Sequence, residues 1–348
     1  MRPVTTLPPE PPPPAAEPGT ETIVAPAGVE NAVLAEAADV VEGALDPREE
    51  EALEHLDNPR RLLLVHAHPD DETTSTGVTM ARYAASGAYI TLITCTRGEE
   101  GEVVSPDLAH LTTAGDAALA EHRMQELAAA LEALGVEDHR YLGDPGEYRD
   151  SGMAGTPSNE HPQAFCRTPV DEAALRLVSV IREVRPQVVV TYDPRGGYEH
   201  PDHIQAHRVT TRAVDLAGED SVAGGEPWKV GKVYWSALPE SLVREGLRRM
   251  RAAGDEGFGD LDPDGELPFT TPDADITTVV DGRDFFDAKL AAWRAYPSQV
   301  SLDTPFLRMA DDAREFWGRE YYRLARGRAV PDSDDPDERE TDLFAGIA

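Results

Sequence analysis

The sequence predicts an α/β fold: a mostly parallel sheet covered by helices on both faces, with a smaller C-terminal subdomain. Three observations lead there. From Arg61 onward, strand-length apolar runs alternate with helical stretches. Two of those runs, Leu62–Val65 and Val188–Tyr192, are continuously apolar, as strands buried on both faces are. Each is followed by a polar cluster, His66-Ala67-His68-Pro69-Asp70-Asp71-Glu72 after the first and Tyr198-Glu199-His200-Pro201-Asp202-His203 after the second. Ligands of open α/β sheets bind outside the carboxyl ends of the strands, so the two clusters can meet although they are distant in sequence.

In order, the elements are a strand at Arg61–His66, a helix at Thr73–Ser86 after the Pro69 turn, and a strand at Tyr89–Thr96 whose apolar run ends near Cys95. A helix follows at Ala117–Leu134, then a short strand at Arg140–Leu142, a helix at Val170–Val184 and a strand at Gln187–Tyr192. Asp202–Leu216 is a helix and Lys232–Ala237 a strand. The polar stretches Arg97–Gly115 and Gly143–Pro169 exceed simple connections and suit lids or binding walls. Beyond Ala237 the alternation loosens. Pro239–Arg251 is an amphipathic helix with a solvated arginine face, and Gly254–Asp275 is an acidic Gly/Pro-rich loop. Asp284–Ala295 is a helix, and Trp317–Leu324 brings aromatics that close the C-terminal subdomain. The domain plan is therefore a disordered extension over 1–58, a catalytic core over 59–238, and a C-terminal subdomain with an acidic tail over 239–348. The extension holds 13 acidic residues against Arg2 and Arg48, is rich in Pro and Ala, and carries at most a short helix near Val33–Leu53.

Residue type points to a metal centre. Imidazole and carboxylate together suit zinc, and two His with one carboxylate leave coordination positions open, as in catalytic sites. Pro69 fixes its own φ and pushes His68 away from helical geometry, so a tight turn can aim both His68 and Asp71 at one ion. Asp70 then faces the bound water. His203 can supply the third ligand, His200 is left as an acid or oxyanion partner, and Asp202 orients one of these rings. His207 shares a helix face with His203 and competes with it as a ligand. His66 alternates out of phase with His68 and reads as a packed residue beneath the site. Such a metal lowers the pKa of bound water to about 7 and makes it a nucleophile at neutral pH.

The segments His68-Pro69-Asp70-Asp71-Glu72 and His200-Pro201-Asp202-His203 resemble the two signatures of the LmbE-like (PIG-L-type) metal-dependent N-deacetylases, whose fold is Rossmann-like. Thr94–Val103, Tyr148–Thr156 and Thr191–Tyr198 are similar to the branch that deacetylates N-acetyl-glucosaminyl-inositol in mycothiol biosynthesis. The likeness runs from about Arg61 to Gly346 and is thin across Leu242–Thr277. It implies His68, Asp71 and His203 as ligands of one Zn2+ per subunit, with Fe2+ equally suited to that set. It also implies Asp70 as general base and a protonated His200, oriented by Asp202, as oxyanion stabiliser and acid. Tyr198 would polarise the acetyl carbonyl, while Arg123, Asp150 and Glu102 would hold substrate hydroxyls. Glu199 departs from the pattern, where a small residue is common.

Composition narrows the classes. A formal net charge of -33 leaves no basic patch for nucleic acid and disfavours an anionic membrane surface. No run approaches the roughly 18 apolar residues that span a bilayer. Met1–Thr20 is Pro-rich without an apolar stretch behind a basic start, and Cys95 and Cys166 are too few for a disulfide framework, so a cytoplasmic setting is expected. The expected partner is a small amino-sugar substrate. The alternatives are an amidase acting on mycothiol S-conjugates, another N-acetylglucosamine-type deacetylase, and a metal-binding interaction protein without turnover.

Overall fold

The computed structural model describes residues 59–223, 225–252, 261–301, 310–331 and 338–347. The acidic extension over 1–58, with the short helix expected near Val33–Leu53, lies outside the described residues, as do 253–260 of the acidic loop and 332–337 of the acidic tail.

The strands are β1 (Arg61–His66), β2 (Tyr89–Thr94), β3 (Asp138–Tyr141), β4 (Val188–Thr191), β5 (Lys232–Ala237), β6 (Thr278–Asp281) and β7 (Arg319–Arg326). The main helices are α1 (Asp71–Ala85), α2 (Asp116–Leu134), α3 (Val170–Val184), α4 (Pro201–Ala217), α5 (Glu240–Ala252), α6 (Phe286–Arg294) and α7 (Ala310–Trp317). They build one sheet of order β3-β2-β1-β4-β5-β7-β6. The first five strands run parallel, and β7 pairs antiparallel with both β5 and β6.

The apolar runs work as read. Alternate residues of β1 serve opposite faces: Leu63 and Val65 join α3 and α4, while Leu62 and Leu64 join α1 and α2. All four are fully buried, and burying such a side chain is worth about 1.5–3 kcal/mol. Because β1 leads outward to β2 and β4 leads the other way to β5, the order reverses between β1 and β4. A crevice opens at the carboxyl ends of strands at such a reversal, and both polar clusters sit there.

Two differences matter for the site. Helix α1 begins at Asp71, two residues before the sequence reading, because the chain can turn helical directly after Asp70 and acidic residues favour a first turn. The C-terminal residues also contain strands that sequence missed. β6 and β7 extend the core sheet, and the aromatic stretch at Trp317–Leu324 is largely β7, which buries Glu320 and Tyr322 and leaves Arg323, Ala325 and Arg326 exposed. With charged residues spread along it, β7 carries no continuous apolar run although it lies between β5 and β6.

The same C-terminal elements brace α1. Lys289 of α6 is fully buried, 2.7 Å from Glu320 of β7. Its ammonium donates to the Thr74 carbonyl, while Glu320 accepts from the Val78 and Thr79 amides. Gly77 makes room, since a Cβ there would lie 3.1 Å from Lys289 Cγ. No helix among the described residues is long and apolar enough to cross a membrane.

Removing one partner of a buried ion pair strands the other charge. Lys289→Met is expected to cost about 3–5 kcal/mol in urea unfolding, with part recovered in the Lys289→Met/Glu320→Gln double variant.

Candidate metal centre

The chain leaves β1 through Ala67, His68 and Pro69 and reverses at Asp70, whose backbone has φ 100° and ψ -28°. A non-glycine residue held there costs about 1–3 kcal/mol, a strain typical of functional turns. On the opposite bank Gly196 and Gly197 both have positive φ. A Cβ on Gly196 would lie 2.6 Å from His203 Cβ, so glycine lets this turn cross His203 closely. His200 then caps α4, Pro201 fills its first position, and His203 falls in its first turn.

The turn fixes a tautomer. His203 Nδ1 lies 3.2 Å from the Gly196 carbonyl, an acceptor only, so Nδ1 carries the proton and Nε2 the lone pair. Nε2 is buried with no hydrogen-bond partner among the described residues, and it lies 3.3 Å from Asp71 Oδ1. Asp71 Oδ2 accepts from the Tyr192 hydroxyl at 2.8 Å and from the His68 amide at 2.9 Å. His68 Nδ1 lies 3.2 Å from that same oxygen. Asp71 thus stands between the two imidazoles, and an orphaned imidazole lone pair beside a carboxylate is a donor set that a zinc or iron(II) ion fits. One nitrogen from each of His68, His200 and His203 also falls within a 4.8 Å group.

Charge is concentrated here. Burial lowers the His68 pKa, but Asp150, Asp202 and Asp71 outweigh it and hold His68 well above the usual range. Burial raises the Asp71 pKa, yet His203 and His68 keep its carboxyl well below the usual range. Loss of water around Asp70 pushes its pKa up to about 7 against the pull of Arg123, with Asp71 and Glu72 adding to the rise. His200 goes the other way. Burial, then His68 and His203, lower it to about 3, which leaves a neutral ring. Its Nδ1 accepts from the Asp202 amide at 3.2 Å, so the proton sits on Nε2.

The structure brings most of the expected residues together. The Asp202 carboxylate meets His68 Nε2 at 3.2 Å and accepts from the Ser151 amide and hydroxyl; only its backbone amide meets His200. Asp150 lies 3.4 Å from His68 Nε2 and accepts from the Gly152 and Glu100 amides. Arg123 is buried, donating to the Pro69 and Gly98 carbonyls and to Asp70 at 3.1 Å. Arg123 and Asp150 therefore touch the site's own side chains. Tyr198 is exposed, its ring 4.9 Å from that of His203. Glu102 is exposed and outside the cleft lining. That cleft, of about 440 Å³, is lined by Asp70, Asp71, Tyr198 and His203 together with Leu238 and Phe269. His66 lies fully buried beneath, bonded to Tyr192 and Thr76, and His207 turns its Nδ1 to the Tyr192 carbonyl.

The sequence marks Tyr192 as the end of a strand and as part of the Thr191–Tyr198 stretch, with no role of its own. Its ring stacks on His203 at 4.1 Å, and its hydroxyl joins Asp71 and the Ala67 amide. The signal was available, because a tyrosine closing a buried strand must find a partner for its hydroxyl. Ser151 was likewise missed.

A parallel α/β sheet with a His/Asp donor cluster at its reversal point, open to a cleft, defines a protein of the metal-site hydrolase class. The chain belongs to the PIG-L family: residues 63–214 match the model described as GlcNAc-PI de-N-acetylase. It is 53% identical to the 1D-myo-inositol 2-acetamido-2-deoxy-alpha-D-glucopyranoside deacetylase 1 of Catenulispora acidiphila, over 83% of this chain and 90% of that one. It is 49% identical to the like-named deacetylase of Kineococcus radiotolerans, over 99% of both. Among solved structures, the N,N'-diacetylchitobiose deacetylase of Pyrococcus horikoshii shares the fold, with a TM-score of 0.51, 19% identity, and coverage of 81% of this chain and 94% of that one.

Tyr192→Phe removes the hydroxyl that orients Asp71 and keeps the stacked ring. Affinity for a divalent cation, measured by chelator competition, is expected to fall about 10–100-fold.

Proposed function

We propose that this protein hydrolyses the acetamide of N-acetyl-glucosaminyl-inositol to glucosaminyl-inositol and acetate, the deacetylation step of mycothiol biosynthesis. The observation that carries this reading is the meeting of Asp70, Asp71 and His203 at one cleft, with the His200 ring 5.0 Å from that of His203, in a chain half identical to relatives named as deacetylases of that compound. His68, Asp71 and His203 would hold one zinc ion, with iron(II) suiting the same donors. When bound, the metal supplies a Lewis acid that polarises the amide carbonyl and acidifies water.

The remaining chemistry belongs to the side chains. Asp70 faces the cleft beside Asp71 and takes the proton of the attacking water. Arg123 keeps the Asp70 carboxylate and the Pro69 carbonyl in place. His200, neutral with its proton on Nε2, donates to the oxygen that becomes negative as the carbonyl carbon turns tetrahedral. The departing amine leaves with the proton that Asp70 took up, which balances the hydrolysis. Tyr198, on the exposed turn over His203, reaches the acetyl oxygen from the cleft side. Asp202 and Asp150 hold the His68 ring, each through a carboxylate at its Nε2. The small polar substrate and the two free cysteines fit a reducing cytoplasm.

The test is acetate release from N-acetyl-glucosaminyl-inositol by metal-reconstituted protein, with a mycothiol S-conjugate assayed in parallel. Asp70→Ala is expected to lose about 10²–10⁴-fold in turnover while retaining bound metal. No acetate from the wild type, or cleavage of the conjugate alone, would sink the assignment.

His200→Ala removes the oxyanion donor together with the cap on the Asp202 amide, and it leaves the three proposed ligands in place, so kcat is expected to fall about 10²–10³-fold with little change in metal content. Single-turnover kinetics beside metal analysis would check it.

A further inference from the structure

We propose that Glu72 and Tyr296 are positioning residues for Asp70: a buried hydroxyl from the C-terminal region sets the Glu72 carboxylate, which in turn holds the Asp70 backbone in its left-handed turn. The proposal rests on the reading above, in which Asp70 accepts the proton of the attacking water.

Asp70 is the N-cap of α1, where an aspartate ordinarily folds its carboxylate onto the amides of the first turn. Asp70 makes no such bond. Had it done so, its oxygens would be spent on the helix. The positive φ swings the side chain out of the capping position and leaves it facing the cleft. Something must then hold a backbone that prefers another conformation. Glu72 Oε2 accepts from the Asp70 amide at 2.9 Å, a reach-back to the N-cap amide made from the second helical position where a capping box makes it from the third.

Glu72 is itself fully buried, so its lone pairs need donors inside the protein. Its Oε1 accepts from the Tyr296 hydroxyl at 2.7 Å and from the Thr73 hydroxyl at 2.6 Å. Thr73 is the adjacent residue and moves with α1, whereas Tyr296 lies 224 residues away, just past α6, and is an independent anchor. That anchor is firmly seated. Tyr296 is fully buried, Val300 donates back to its carbonyl, and Ser298 donates through both amide and hydroxyl to Glu126 of α2. Arg123 of α2 also grips the Pro69 carbonyl and the Asp70 carboxylate, so the turn is held at its backbone from one side and its side chain from the other.

Tyr296→Phe deletes one oxygen and preserves the ring, so the fold should survive it. Small displacements of a reacting group are costly, and kcat is expected to fall about tenfold with KM within about twofold and metal content unchanged. In the metal-free protein, deuterium exchange at the Asp70 amide should quicken by about tenfold, as the loss of about one hydrogen bond's net worth allows. Glu72→Gln, which keeps a carbonyl acceptor, should retain more activity than Glu72→Ala. Tyr83→Phe is the control: Tyr83 is a buried tyrosine of α1 whose hydroxyl bonds Asp342, and its loss should lower Tm without lowering kcat. Wild-type kcat in Tyr296→Phe, or Asp70 amide exchange unchanged from wild type, would overturn the proposal. Asp70→Asn separates the two readings. If Asp70→Asn turns over like wild type, the role given to Asp70 fails, and the exchange experiment alone then judges whether Tyr296 holds the turn.

Discussion

Negative charge is packed more tightly at the carboxyl ends of β1 and β4 than anywhere a fold would place it for stability. Asp70, Asp71, Glu72, Asp150 and Asp202 crowd one small volume, and carboxylates deprived of water are tolerated only when donors or cations replace it. Much of the surrounding chain serves that replacement. The loops after β2 and β3 turn inward to deliver the amides of Glu100, Ser151 and Gly152. Tyr192 answers Asp71, Tyr296 answers Glu72 and Arg123 answers Asp70. The imidazoles of His68 and His203 stand against Asp71, and a divalent ion among the same groups would relieve the crowding most directly.

This requirement explains features that are otherwise odd for loops. The two long connections are tied to each other through Glu100, which accepts from Ser158 at 2.6 Å and pairs with Arg149. Tyr148 and Phe165 anchor the second of them in the core beneath. A few residues in each supply the inward-facing donors, while most of their length stays at least partly exposed.

The chemistry was legible in the sequence because it is local. His68 to Glu72 and His200 to His203 each lie within a single turn after a continuous apolar run, and the run fixes where a parallel strand ends. What sequence could not give were roles set by partners far along the chain. Asp202 was expected to orient a ring; only the fold reveals that its carboxylate serves His68 while its amide serves His200. Arg123 reads as a substrate contact until α2 is seen to bury it against the Pro69 carbonyl. Strands β6 and β7 escaped notice because β6 is four residues long with a polar residue at each end, and Arg319 to Arg326 spreads charged residues among its aromatics, so neither carries a continuous apolar run.

The partition between reactive and supporting residues follows from the same geometry. The family match, residues 63–214, contains every candidate ligand and every group that would touch the reacting atoms. Lys289, Tyr296 and Glu320 lie beyond it, yet all three converge on the first three turns of α1, through the Thr74 carbonyl, the Glu72 carboxylate, and the Val78 and Thr79 amides. Helix α1 carries Asp71 and starts from Asp70, so its placement sets both the proposed metal donor and the proposed base. A core that ended after β5 would keep the chemical groups and lose the contacts that aim them. The C-terminal third is thus part of the site in the physical sense, because it supplies the rigidity against which a strained turn can be held.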